Sequence, residues 1–93
     1  MLKIKLSNQA KKFLAKLTPK HKRQLAEKIQ SLGDEPRPSD SKSMKGFDGY
    51  LRADSGEYRI IYRIDTCGAV LLVAILGKRN DGQVYKLFWR LNS

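Results

Sequence analysis

The sequence predicts an α+β domain, two helices laid on one face of a mainly antiparallel sheet. Three patterns predict it. Apolar residues recur at helical spacing between residues 8 and 32. They alternate with charged residues at a period of two in Leu2–Leu6 and again in Tyr58–Ile64. Turn-forming tetrads then separate three strand-like runs in the second half of the chain.

The first strand sets Leu2, Ile4 and Leu6 against Lys3 and Lys5, so it is half-buried with a charged outer side. Ser7 follows as a helix N-cap. Ala10, Phe13, Leu14 and Leu17 form the apolar stripe of one amphipathic helix, with Lys11, Lys12 and Lys16 mainly on other faces. Thr18 and Pro19 supply a cap and a first helical residue for a second helix. That helix turns Leu25, Ile29 and Leu32 inward and is expected to stop at Gly33 in a left-handed cap. The break between the helices is very short, which predicts a helical hairpin.

From Gly33 to about Phe47, Pro36, Pro38, Ser39, Ser41 and Ser43 predict a loop, long for so small a domain. Strands are expected at Tyr50–Ala53, Tyr58–Ile64 and Ala69–Leu76. In the second of these, Tyr58, Ile60, Tyr62 and Ile64 share one face, and Arg59, Ile61 and Arg63 the other. The third is apolar on both faces, as a central covered strand is. Asp54-Ser55-Gly56-Glu57 and Asp65-Thr66-Cys67-Gly68 turn the chain between them, giving an antiparallel three-stranded meander joined to the N-terminal strand in one sheet. A short C-terminal helix is expected from about Asp81 to Leu91, with Leu87 and Trp89 or Leu91 packing back. No internal repeat occurs, and residues 1–93 are read as a single domain.

Composition narrows the function. Nineteen basic residues against nine acidic ones give a formal charge of +10. So much like charge on a small body repels itself, and a polyanionic partner relieves it. Nucleic acid leads the candidates because backbone phosphates reward Lys and Arg directly. Cys67 is the lone cysteine, which excludes an intramolecular disulfide and a cysteine metal site and fits a reducing compartment. Met1–Leu6 lacks the apolar core of a secretory leader, and the run Ala69–Leu76 is too short to span a bilayer. A soluble, cytoplasmic protein with no membrane partner is therefore expected.

There is no Cys–His cluster, paired-His motif or Gly-rich phosphate loop, so no metal or cofactor is expected. His21, the only histidine, lies on the inner line of the second helix and reads as structural. What remains is a concentration of cations in the sheet half: Lys45, Arg52, Arg59, Arg63, Lys78, Arg79, Lys86 and Arg90, interleaved with Tyr50, Tyr58, Tyr62, Tyr85 and Trp89. A mid-strand charge such as Arg59 needs a partner, since desolvating it is costly. That partner is either an anionic ligand or an acid among Asp54, Glu57 and Asp65. Arginine forks fit phosphate oxygens. RNA can be cut by its own 2′-hydroxyl if cations stabilise the phosphorane and a base, such as a Tyr made more acidic by nearby cations, takes the proton.

The segment Gly56-Glu57-Tyr58-Arg59-Ile60-Ile61-Tyr62-Arg63-Ile64, then Leu76-Gly77-Lys78-Arg79 and Val84-Tyr85, resembles the two-part signature of the RelE/ParE toxin superfamily. The strand–helix–helix–meander order matches as well, over essentially the whole chain. The resemblance implies a toxin of a type II toxin–antitoxin system, of the RelE type: a metal-free, ribosome-dependent endoribonuclease that cuts messenger RNA in the A site. The alternative within the superfamily is a ParE-type inhibitor of DNA gyrase, which has no nuclease residues. The resemblance also implies a catalytic set. Arg59 corresponds to the phosphate clamp, Arg79 to the transition-state stabiliser, and Tyr85 to the tyrosine that stacks on a base and accepts the hydroxyl proton. Arg52 falls where RelE has a catalytic lysine, and it suits charge stabilisation rather than proton transfer. Asp54 stands where many members carry a further arginine. Lys45, Arg63, Lys78 and Lys86 are expected to contact RNA electrostatically. The implied partners are the ribosome with its message and a cognate antitoxin, whose complex with the toxin binds operator DNA through the antitoxin.

Overall fold

The computed structural model describes residues 1–44, 46–79 and Lys86. Its elements run β1 (Lys3–Leu6), α1 (Asn8–Lys16), α2 (Pro19–Asp34), β2 (Lys42–Ser43), β3 (Tyr50–Ser55), β4 (Tyr58–Asp65) and β5 (Val70–Lys78). The five strands form one sheet in the order β1-β5-β4-β3-β2. β3, β4 and β5 are the expected antiparallel meander, and β1 joins parallel to β5, placing Lys3 opposite Val70 and Leu6 opposite Val73. The expected C-terminal helix falls, apart from Lys86, outside the described residues.

Local chemistry explains the helix starts. The Ser7 hydroxyl accepts from the Ala10 N–H at 3.1 Å and donates to the Ala74 carbonyl at 2.6 Å, so one side chain both caps α1 and ties it to the sheet. Gln9 continues the β1 ladder with its side-chain amide, donating to the Leu76 carbonyl at 2.8 Å and accepting from the Leu76 N–H at 2.9 Å. At α2, Pro19 occupies the first turn as expected, but the Thr18 side chain makes no capping bond.

Two expectations are corrected. Gly33 is not a left-handed cap: α2 runs on to Asp34, with Glu35 as its C-cap. Gly33 is instead a contact glycine. A Cβ there would lie 3.2 Å from Ile4 Cδ1 and 3.3 Å from the Leu2 carbonyl, and the Gly33 carbonyl accepts from the Leu2 N–H at 3.0 Å. The segment between α2 and β3 is also more than loop. It contributes β2, whose Lys42 and Ser43 pair with Arg52 and Leu51. The Tyr62 hydroxyl fastens it by donating to the Pro36 carbonyl at 2.7 Å, and Lys28 pairs with Asp40 at 2.9 Å.

The main core lies between helices and sheet. Leu25, Leu32, Ile60, Tyr62, Leu71, Val73 and Leu76 are fully buried there, with Ala10, Ile29, Leu51, Ala53 and Tyr58 beside them. The predicted stripe of Tyr58, Ile60, Tyr62 and Ile64 faces this layer. His21 packs edge-on to Tyr58 and a 2.9 Å hydrogen bond joins its Nδ1 to the phenol, the structural role expected of it. The opposite face is only partly open. Met44, Ile61 and Ile75 form a second, smaller cluster with Phe47, Tyr50 and Ala74 against it. β5 serves both clusters through a bulge: Ile61 faces Ile75 while Tyr62 faces Val73, leaving Ala74 unmatched.

Candidate phosphate-binding site

Strand alternation turns Arg52 and Asp54 of β3 and Arg59, Ile61 and Arg63 of β4 away from the helices. Register then sets them against one another. Asp54 stands directly opposite Arg59, Arg52 opposite Ile61, and Tyr50 opposite Arg63. On the far side of β4, Arg59 faces Gly77, and the chain leaves β5 into Arg79.

The centre of this arrangement is a carboxylate among guanidinium groups. Asp54 accepts from Arg59 Nε at 2.8 Å and from Arg59 Nη2 at 3.4 Å. Arg79 Nε lies 4.0 Å from the other Asp54 oxygen. Arg79 is held against the turn between β3 and β4: its N–H donates to the Glu57 carbonyl at 2.9 Å and its Nη1 to the Gly56 carbonyl at 3.4 Å. The hydrogen bond from Arg59 holds the Asp54 carboxyl below its ordinary value of 3.8. Partial burial opposes that shift, and the charges of Arg59, Arg79 and Arg52 reinforce it. The Arg59 side chain is 14% exposed, Asp54 34% and Arg79 45%, so the cluster opens to solvent from the Arg79 side.

Three of the four expected catalytic residues, Arg52, Arg59 and Arg79, thus surround a single point. The fourth, Tyr85, lies outside the described residues, as does Lys45. Arg63 is exposed on the same face, with its guanidinium carbon 6.0 Å from the Tyr50 ring centre. Lys78 is exposed but pairs in register with Tyr58, which puts it on the helix side of the sheet. Lys86 is exposed. Tyr58 and Tyr62 are buried in the helix-side core, so among the described tyrosines only Tyr50 accompanies the cations. Sequence reasoning passed over Lys42, which β2 sets opposite Arg52 at the sheet edge. A two-residue strand carries no periodic signal that could have shown it.

The family model that describes the ParE toxin of the type II toxin–antitoxin system parDE matches residues 4–82. The chain belongs to this toxin family. Solved structures agree with a toxin of the RelE/ParE superfamily. The RelE–RelB complex from Pyrococcus horikoshii OT3 matches with a TM-score of 0.75 at 28% identity, over 86% of this chain and 97% of that chain. The RelBE2 toxin–antitoxin complex from Mycobacterium tuberculosis matches with a TM-score of 0.72 at 25% identity, over 84% and 98%. The isolated RelE toxin of E. coli shares the fold along the whole of both chains, with a TM-score of 0.75 at 21% identity. No curated protein matches the sequence. In this ParE-family toxin the arginine cluster therefore sits on a RelE-like scaffold, on the sheet face away from the helices.

Proposed function

We propose that this toxin is a ribosome-dependent endoribonuclease that cuts messenger RNA in the A site by attack of a 2′-hydroxyl on the adjacent phosphorus. The observation that carries this reading is the meeting of Arg59 and Arg79 at one carboxylate. Side chains from β4 and from just beyond β5 that reach the two oxygens of one anion can also reach two oxygens of one phosphodiester. In the reaction the 2′-oxygen bonds to phosphorus and the bond to the 5′-oxygen breaks, leaving a 2′,3′-cyclic phosphate and a 5′-oxygen that takes a proton from water to become a hydroxyl. Arg59 clamps the phosphate, and Arg79 with Arg52 stabilises the charge that builds on the phosphorane. None of the three gives up its proton, so they act as fixed cations. Tyr85 stacks on a base and takes the proton of the 2′-hydroxyl. Lys45, Arg63, Lys78 and Lys86 add attraction to the RNA backbone.

The partners follow from the same reading. The solved relatives from Pyrococcus horikoshii and Mycobacterium tuberculosis are complexes with antitoxins. A body with a charge of +10 suits an acid-rich antitoxin segment that covers the cluster. The cytoplasm is the compartment where ribosomes and messages meet it, and operator binding by the toxin–antitoxin complex is assigned to the antitoxin.

A second reading, inhibition of DNA gyrase without nuclease chemistry, has one observation in its favour: the matching family model is that of ParE toxins. Primer extension on a translated message separates the two. The nuclease reading expects cuts within codons, bearing 5′-hydroxyl ends and present only with ribosomes. Gyrase-dependent DNA breaks with an intact message would replace it by the second reading.

A further inference from the structure

We propose that Asp54 is a built-in competitor for the phosphate, a carboxylate fixed inside the arginine cluster that lowers the cluster's affinity for RNA. The inference rests on reading the cluster as a phosphate site, and not on cleavage. A carboxylate and a phosphate present the same pairs of acceptor oxygens to a guanidinium fork. Asp54 fills that place now, one oxygen 2.8 Å from Arg59 Nε and the other 4.0 Å from Arg79 Nε.

Its position makes the competition persistent. Asp54 is a strand residue, locked in register opposite Arg59 between Ala53 and Ser55, both buried. A loop carboxylate could swing away when a ligand arrives; this one keeps its backbone in the sheet and its charge within a few ångströms of any anion on Arg59 and Arg79. Its side chain is one-third exposed, so an entering phosphate meets it directly. Arg59, Arg79 and Arg52 all act on this one carboxylate, so an anion that enters the cluster contends with it for the same guanidinium groups. The consequence is an affinity set below what the arginines alone would give, in a surface already strongly cationic. Such a setting favours release of the RNA.

The test is binding of a short 2′-O-methyl oligoribonucleotide, which cannot be cut, to the wild-type toxin and to Asp54→Asn. The asparagine Oδ1 still accepts from Arg59 Nε, so the shorter bond to Arg59 survives while the charge and the longer bond from Nη2 are lost. Repulsion between two charges at this separation, screened by solvent, corresponds to a gain of roughly tenfold in affinity at low salt. The gain should shrink as salt rises, a dependence that a purely structural role for Asp54 would not produce. Asp54→Ser, checked by its melting temperature, gives the same comparison if the asparagine protein folds poorly. Equal or weaker binding by folded Asp54→Asn overturns the inference, and so does absence of binding by both proteins. Tighter binding by Asp54→Asn from a toxin that leaves translated messages intact would uphold this inference and end the nuclease reading. Codon-specific cutting with equal affinities would do the reverse.

Discussion

The two faces of the sheet are made from alternate residues of the same strands, yet they obey different rules. On the helix face, Ile60, Tyr62, Leu71 and Val73 are wholly buried, and the polar groups among them are matched, the Tyr62 hydroxyl to the Pro36 carbonyl and the Tyr58 hydroxyl to His21. One residue away on the other face, Arg59 sits against Asp54, with Arg79 and Arg52 also acting on that carboxylate, and Arg63 lies exposed further along β4. The first face serves the fold, and the second is the one we propose meets a phosphate. The pleat keeps them separate, so a one-residue slip of register would exchange them. The small Met44–Ile61–Ile75 cluster marks the only part of the described outer face where apolar packing intrudes.

Ile60 is 0% exposed on the helix face, and Ile60→Ala should cost about 2–5 kcal/mol in denaturant unfolding. A loss below about 1 kcal/mol would mean that this face is not the close-packed layer described. Across the sheet, Arg79→Ala should leave stability within about 0.5 kcal/mol, since the side chain is 45% exposed, while lowering cleavage roughly 100- to 1000-fold. Melting curves with single-turnover cleavage would show the split. Tyr62→Phe sharpens the comparison by removing only the hydroxyl that fastens the Pro36 segment, with an expected loss of about 1 kcal/mol and little change in cleavage.

The smallest effect is electrostatic. The Asp54 carboxyl is held below 3.8, so in the folded protein it stays ionised to lower pH than in the unfolded chain. Its contribution is present above that value and is lost as pH falls through the folded value. At neutral pH, Asp54→Asn should be less stable by about 1 kcal/mol or less, given the exposure of the pair. The difference should close in acid below the ordinary carboxylate range, as melting temperatures of the two proteins measured against pH would show.

Much of this division is legible in the sequence. The alternation from Tyr58 to Ile64 is strict enough to assign each residue to its face, and with it Arg59 to the face away from the helices. Ser7 before an apolar helical stripe reads correctly as a cap. The misreadings have physical causes. A glycine near a helix end serves equally for a left-handed cap and for close approach of another backbone, and only the proximity of Leu2 and Ile4 shows that Gly33 does the second. The β5 bulge is hidden because Val73, Ala74, Ile75 and Leu76 are all apolar, so a change of face leaves no mark. Asp54 reads as a turn residue and as one of three candidate acid partners for Arg59; that it is the one, and that Arg79 joins it, follows only when β3 pairs with β4 and β5 brings Arg79 round. The convergence of Arg59 and Arg79 is a product of register, which no local pattern records.

The most direct measurement is single-turnover cleavage of a ribosome-bound message by the wild-type toxin, Arg59→Ala and Arg79→Ala, with melting curves taken on the same samples. Rapid cutting by the wild type is expected, with a loss of roughly 100-fold or more in each folded variant. Wild-type rates in both variants, or no cutting by the wild type on ribosomes, would contradict the nuclease reading.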